Sequence, residues 1–457
     1  MRTIILSDLH LGNGGDYDVF AGGDVLPALL DQCAATPTRV ILNGDTIDFL
    51  LNDDPLEMDI VRAVSQVEAS AATPSTAAVL RGLGRVLAAG GDVVVRLGNH
   101  DAELALADVQ AVLRRATGQP EAVAARLVFL RGDAPQLLDV GGARILITHG
   151  EHDDVWNRID YPHLPGPGAP DDASPERFTY PPGSRLVKTV LNPLKKRFQM
   201  RFADLLKPDF QGAVLTALAV NPSLVKLVFQ GSTFTLLWQL FRQKLGASTF
   251  LPGDEEEDLG LADALDRAGL TPEEREALAA LLHPAGAVAF ADEAVVGDAR
   301  VKLARAGLGL YARYHRSAAR EVSKRFFAFD PEPREWKEAQ RLASKYGAGA
   351  VVMGHTHAAR WGVRDALTFV NTGTWIHLAQ LPPAEASDAT WTEFLESCRR
   401  NPQLDQTQPG AVPLLTRFTG AIVEPHPTGG ARLSLVEWKA DAAPIVHGET
   451  HVAPAQP

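Results

Sequence analysis

The sequence predicts an α/β fold interrupted by a large helical insertion. Three observations lead there. Short apolar runs alternate with helical stretches through the first third of the chain, composition changes after Trp156, and the strand–helix pattern resumes near residue 335. Such alternation implies layered α/β architecture. A chain of 457 residues is also too long for one simple core, so two domains or one domain with an insertion is expected.

The elements follow in order. Residues 3–6, 39–42, 93–97, 126–130 and 144–148 read as strands, and 24–35, 58–71, 75–89 and 103–116 as helices. Gly141-Gly142 between two strand runs suggests a hairpin. Residues 162–182 are rich in Pro, Gly and Asp and read as a loop. From 184 to about 329 the pattern is helical: basic and apolar at 185–207, apolar at 213–245, acidic at Glu255-Glu256-Glu257. Thr271-Pro272-Glu273-Glu274 is a helix-start signal. The core resumes with a helix at 335–346 and strands at 350–353 and 367–370. Strands at 415–424 and 431–439 flank a turn at Pro427-Thr428-Gly429-Gly430. The expected division is therefore a core in two parts, 1–156 and 335–440, an insertion or cap at 157–334, and a loose tail at 441–457.

Composition narrows the function. Formal net charge is −12, which argues against a nucleic-acid partner, since that needs a basic surface. Only Cys33 and Cys398 are present, so a disulfide framework is not expected and a thiolate zinc site is excluded. No basic and apolar leader precedes the first strand, and a cytoplasmic address is the default expectation. The apolar stretch 224–241 contains Lys226, Gln230, Ser232 and Gln239 and makes a poor membrane span. It reads as a buried or amphipathic helix, with an interfacial, lipid-touching helix as the sharper alternative.

Chemistry-bearing residues gather behind the strand runs. Asp8-Leu9-His10 follows the first strand, Gly44-Asp45 the second and Gly98-Asn99-His100-Asp101 the third. Thr148-His149-Gly150 and Gly354-His355-Thr356-His357 also end strands. Functional residues of open α/β folds collect at the carboxyl ends of strands. Ligands at i and i+2 on extended backbone point the same way, so Asp8 with His10, and His355 with His357, can each reach one ion. A carboxylate has two oxygens, which makes Asp45 the candidate bridge between two ions. Oxygen and imidazole ligation suits manganese, iron or zinc better than calcium. Two such ions would lower the pKa of a shared water and offset charge on a phosphoryl group.

These segments resemble the calcineurin-like metallophosphoesterase superfamily, whose pattern runs Asp-x-His, Gly-Asp, Gly-Asn-His-Asp or -Glu, His, then Gly-His-x-His. The match covers about 1–155 and 345–440. It implies a four-layer αββα sandwich. It implies one ion on Asp8, His10, Asp45 and His357, and a second on Asp45, Asn99, His149 and His355. It assigns His100 as the proton donor to the leaving group, with Asp101 orienting it or raising its pKa. Asn371-Thr372-Gly373 resembles a family turn that packs near the metals. Within the superfamily, the UDP-2,3-diacylglucosamine hydrolases are similar in the opening Asp8-Leu9-His10-Leu11, the Gly-Asp turn and a helical insertion. They have Arg where this chain has His100, and their insertion is much shorter.

Other positions carry two readings. Asp48 is a partner for a ligand imidazole or a helix cap. His152, Asp153, Asp154, Trp156 and Arg158 line the pocket or are surface charges. Arg158 or Arg131 is the candidate grip on a substrate phosphate. His377, His163, His283 and His315 read as structural or surface histidines. Arg185, Lys188, Lys195, Lys196, Arg197 and Arg201 form a basic stretch among apolar residues, a lid, a contact to anionic lipid, or simply a solvated face. The expected activity is hydrolysis of a small or lipid-linked phosphoester or pyrophosphate. A nuclease or protein phosphatase on the same core is the alternative, and a non-catalytic scaffold the third reading.

Overall fold

A computed structural model describes residues 1–52, 56, 58–207, 216–217, 220, 327–382 and 386–455. The stretch expected as a helix at 224–241, the acidic run at 255–257, Thr271, His283 and His315 lie outside the described residues. The chain divides into two compact units. One comprises Met1–Lys188, Phe327–His377 and Thr416–Pro457, and the other Thr189–Phe326 with Leu378–Leu415.

The first unit opens with β1 (Arg2–Leu6), α1 (Val25–Ala35), β2 (Thr38–Asn43), α2 (Ile60–Ala72), α3 (Pro74–Ala88) and β3 (Asp92–Arg96). It continues with α4 (Ala107–Ala116), α5 (Glu121–Ala124), β4 (Leu127–Leu130), β5 (Gln136–Val140), β6 (Ala143–Ile147) and α6 (Pro182–Leu186). The second unit holds α7 (Asn192–Phe198), α8 (Phe202–Leu205) and β7 (Leu206–Lys207). The first unit resumes with α9 (Pro333–Tyr346), β8 (Ala350–Met353), β9 (Arg360–Arg364) and β10 (Leu367–Asn371). After β11 (Leu378–Gln380), α10 (Asp388–Arg400) and β12 (Leu414–Leu415) in the second unit, the first closes with β13 (Phe418–Pro425), β14 (Ala431–Trp438) and β15 (Ile445–Val452).

The architecture is mixed α/β. A seven-stranded sheet has the order β15-β14-β13-β1-β2-β3-β4, and a five-stranded sheet the order β5-β6-β8-β10-β9. β1 to β4 are parallel neighbours, whereas β13 meets β1 antiparallel. The centres of β1 to β3, at 4–6, 40–42 and 93–95, are apolar runs because both faces are largely covered. Ile4 and Leu6 pack into one cluster with α1 to α4, while Ile5 between them joins a second cluster with Ile145, Ile147, Val352 and Val370 of the other sheet. Leu146 and Val351 alternate the other way, into a third cluster with Trp336, Ala339 and Leu342 of α9. The period of two is what divides each strand between clusters.

Local signals place the boundaries. Asp59 caps α2 by accepting from the Arg62 N–H at 2.9 Å. Glu332 and Glu335 form a capping box at α9, and Gly347 ends that helix at φ 63°. Gly141 and Gly142 both have positive φ, as a two-residue hairpin between β5 and β6 requires. In the second unit, β12-β11-β7 form a small sheet and the buried Lys195 pairs with Asp204 at 2.5 Å.

Two expectations need correction. The tail expected to be loose contains β15, which pairs with β14 along its length. Its half-exposed, polar side chains hid it among flanking Pro and Ala. The boundary expected at 157 also falls later. Tyr161 donates to Glu151 at 2.6 Å and Tyr180 to Glu103 at 2.7 Å, and Arg131 binds the carbonyls of Tyr161 and Leu164. These bonds tie 157–184 to the first unit. β9 was not foreseen. No helix among the described residues is long and apolar enough to cross a membrane.

Candidate metal centre

Every candidate ligand lies just past the carboxyl end of a strand. Asp8 and His10 follow β1, Asp45 follows β2, Asn99 and His100 follow β3, His149 follows β6, and His355 and His357 follow β8. Hydrogen bonds join these ends from sheet to sheet. His149 Nδ1 donates to the Asn43 carbonyl at 2.8 Å, Asn43 Nδ2 to the Thr148 carbonyl at 2.8 Å, and the His355 N–H to Asp8 Oδ2 at 3.0 Å.

The backbone at these ends is unusual. Five of the eleven non-glycine residues with positive φ, among those described, are Asp8 (54°), His10 (50°), Asp45 (51°), His355 (69°) and His357 (61°). For an L-residue that conformation costs roughly 1–2 kcal/mol, and it persists where the surroundings impose it. The i, i+2 pairs are therefore not on extended backbone, as the sequence suggested. A left-handed residue at every second position turns both side chains to one place. The surroundings are explicit: Asp8 N–H donates to the Gly44 carbonyl at 3.1 Å and His10 N–H to the Asp45 carbonyl at 2.9 Å. The Asp8 carbonyl accepts from Thr374 Oγ1 at 2.9 Å and from the Trp375 N–H at 3.1 Å. Asn371 holds the other turn, donating to the Gly354 carbonyl at 2.8 Å and to Thr356 Oγ1 at 3.1 Å.

Glycines make the room. A Cβ on Gly44 would stand 2.2 Å from His149 Nδ1, one on Gly98 2.2 Å from Asp45 Oδ1, and one on Gly354 2.7 Å from Asp8 Oδ2.

Among the described residues three groups could hold a metal ion, with ligand atoms in each within 4.8 Å of one another: His10–Asp48–His100, and the two expected from sequence, Asp8–His10–Asp45–His357 and Asp45–His149–His355. Asp45 belongs to both of the latter. Its Oδ2 lies 3.9 Å from His10 Nε2 and 3.4 Å from His149 Nε2. His357 Nε2 lies 3.1 Å from His10 Nε2 and 3.4 Å from Asp8 Oδ1. Two nitrogens on one ion at about 2.1 Å would be about 3 to 3.4 Å apart, so this spacing fits. Asp8 Oδ1, Asn99 Oδ1 and His149 Nε2 are buried and accept or donate no hydrogen bond in the protein. Buried polar atoms are ordinarily paired. Asp8 and His149 belong to the groups above, where a cation would satisfy their orphaned atoms.

Charge is arranged to match. Burial pushes the Asp45 carboxyl up, but His149, His100 and His10 outweigh it and hold it well below the ordinary carboxylate range. Asp8 falls to about 2, burial being overcome by the nearby His357 imidazole and the charge of His149. The same carboxylates raise His149 well above its usual value against burial.

His100 stands beside the first group, its side chain 22% exposed. Its Nδ1 bonds Asp48 Oδ2 at 3.2 Å, and the same oxygen takes His10 Nδ1 at 2.9 Å. Asp48 Oδ1 also accepts from the Leu50 N–H at 2.9 Å, so Asp48 is both imidazole partner and turn cap. Burial lowers His100, but Asp48 and Asp45 outweigh it and push it up to about 9. Asp101, expected to orient His100 or raise its pKa, accepts the N–H groups of Gly98 at 2.6 Å and Thr46 at 2.7 Å rather than bonding the imidazole, and it adds a smaller contribution to raising His100. It fixes the ligand loop, because neighbours in sequence at this turn face different ways.

The remaining expectations resolve as follows. Arg131 spends its guanidinium on the carbonyls of Leu164 and Tyr161 at 2.9 Å each, so it anchors a loop rather than reaching for a phosphate. Arg158 is exposed, on the turn that begins at Asp154. His152 stacks on Tyr161, Asp153 pairs with Arg341, His163 bonds Asp160, and His377 bonds Thr416. Sequence reasoning missed two supports. The Asn43 carbonyl that holds His149 leaves no side-chain signal. Asp154, grouped above with pocket or surface residues, bonds His355 Nε2 at 3.1 Å.

No family model matches the chain, and no curated protein does. Among solved structures, the phosphopantetheinyl hydrolase of Mycobacterium tuberculosis is similar over 82% of this chain and 89% of its own, at 12% identity and a TM-score of 0.22.

Proposed function

We propose that this chain is a metal-dependent phosphoester hydrolase of the calcineurin-like kind. The single observation that carries the reading is the convergence of six ligand side chains, Asp8, His10, Asp45, His149, His355 and His357, from four strand ends, with buried polar atoms of Asp8 and His149 left for a cation to satisfy. Helices against one sheet, sheet against sheet, and α9 against the second sheet support the four-layer αββα form.

Asp8, His10, Asp45 and His357 would hold one divalent ion, and Asp45, Asn99, His149 and His355 a second. Manganese, iron or zinc suits that ligand set. Such ions, when bound, acidify water and offset charge on phosphoryl oxygens. The chain's own residues account for the rest. His10 Nδ1–H and His149 Nδ1–H are committed to Asp48 and to the Asn43 carbonyl, which leaves each Nε2 as the ligand atom. Asp48 likewise takes His100 Nδ1–H, so Nε2 is the nitrogen that hands a proton to the leaving oxygen. Overall, the oxygen of water bonds to phosphorus, the bond to the leaving oxygen breaks, and that oxygen departs protonated.

The substrate expected from sequence, small or lipid-linked, rests on an insertion that lies mostly outside the described residues. The test is therefore generic. Metal-stripped protein is titrated with Mn²⁺ and assayed on p-nitrophenyl phosphate and bis-p-nitrophenyl phosphate. Two ions per chain and Mn²⁺-dependent hydrolysis of either reporter are expected. A chain that binds no ion at micromolar Mn²⁺, Fe²⁺ or Zn²⁺ overturns the reading.

A further inference from the structure

We infer that Asp154 is a positioning residue that selects the tautomer of His355, and so the nitrogen His355 presents to the second ion. The inference rests on the metal-centre reading above.

The argument is one of donors and acceptors. An ionised carboxylate only accepts. Asp154 Oδ2 lies 3.1 Å from His355 Nε2, so that nitrogen carries the hydrogen and Nδ1 keeps the lone pair. Asp154 itself is locked. Its Oδ1 accepts the Trp156 N–H at 2.9 Å, its Oδ2 accepts Asn157 Nδ2 at 2.7 Å, and its carbonyl accepts the N–H groups of Asn157 at 2.9 Å and Arg158 at 2.7 Å. The carboxylate is thus fixed by its own turn before it meets the imidazole. A metal-binding imidazole ordinarily gives its other N–H to such a partner. His10 and His149 present Nε2 because their Nδ1–H groups are taken, whereas His355 presents Nδ1 because its Nε2–H is taken. The side chain of Asp154 is 36% exposed. A pair that exposed contributes little to stability, so its effect falls on the ligand's orientation.

The isosteric amide separates this role from a structural one. In Asp154→Asn the Oδ1 bond to Trp156 N–H survives, the amide NH₂ replaces the oxygen facing His355, and Asn157 keeps its bond by turning its own amide so that its oxygen accepts. An amide donor stabilises the opposite tautomer, with the lone pair on Nε2. Mn²⁺ titration of metal-stripped protein is then expected to show one of two ions weakened by about 10- to 100-fold and the other unchanged, with the melting temperature of the stripped protein unaltered. Asp154→Ala should weaken the same ion less than the amide does. In a His355→Ala background, Asp154→Asn should cost nothing further, because its action passes through His355. Wild-type affinity for both ions in Asp154→Asn overturns the inference, as does an undiminished loss in the His355→Ala background, which would make Asp154 a ligand. If the unaltered chain binds no ion, the metal-centre reading fails instead.

Discussion

The His10–His357 end of the site and the His149–His355 end use the same residue types but are braced by different means. At the first end a buried carboxylate, Asp48, takes both His10 and His100 on one oxygen. On the proposed reading, ion binding and proton donation would share that carboxylate. At the second end His149 leans on a main-chain carbonyl, and His355 on a partly exposed aspartate in a turn. That end meets His100 only through Asp45, whose Oδ1 accepts the His100 N–H at 2.9 Å, so a change at His149 or His355 leaves the acceptor of the His100 imidazole in place. On the proposed reading, one end would serve proton donation and ion binding together, and the other ion binding.

The comparison breaks most directly at the residue both ends share. Asp45→Asn should remove both ions in the Mn²⁺ titration and lower hydrolysis on the order of a thousandfold or more, the loss of several kcal/mol of charge stabilisation. If one ion stays at full affinity, the two ends are not joined through Asp45 and are independent sites. Next in size is His100→Ala. Ion content should be unchanged, and hydrolysis should fall by about 10²–10⁴-fold for an alkyl leaving group. Nitrophenolate needs no proton to depart, so its loss should be much smaller. Equal losses on both substrates would take the proton donor away from the first end.

A third variant sharpens the contrast between the braces. Asp48→Asn should weaken one ion by about 10- to 100-fold and also steepen the dependence of rate on leaving-group pKa, because His10 and His100 lose the same acceptor. Asp154→Asn should weaken an ion and leave that dependence alone. Matching slopes for the two variants would erase the distinction between the ends.

How much of this was legible depends on where the information resides. The candidate cluster was legible because each of its members is a polar residue directly behind an apolar strand run, a contrast that side-chain chemistry alone reveals. The layers were legible because a strand covered on both faces has no polar alternation, as in 3–6 and 350–353. The braces were not. Asp101 adjoins His100 in sequence and was expected to orient it, whereas the bond to the imidazole comes from Asp48 on a different loop. The left-handed turns at Asp8, His10, His355 and His357 have no compositional mark, since the residues there are not glycines. β15 was hidden because Ile445 to Val452 carries His447, Glu449 and His451 on a solvent-exposed edge strand. Arg131 looked available for a phosphate only because carbonyl partners cannot be read from sequence.

The smallest expected functional effect belongs to Asn43, and its smallness is the point. Two bonds meet at this residue. Its side chain donates to the Thr148 carbonyl, and its main-chain carbonyl accepts from His149. Asn43→Ala deletes the first and keeps the second. The Thr148 carbonyl then loses a buried partner, so unfolding in urea should show a loss of about 1–2 kcal/mol. His149 keeps its acceptor, and with it the tautomer that leaves Nε2 for the ion. Both Mn²⁺ affinities should therefore stay within about threefold of the unaltered chain, a shift far below the 10- to 100-fold expected for losing an imidazole's partner. A brace made of backbone is insulated from substitution in a way that Asp48 and Asp154 are not. Should Asn43→Ala weaken an ion tenfold, the side-chain bond is holding His149 indirectly through Thr148, and the second end is as exposed to mutation as the first.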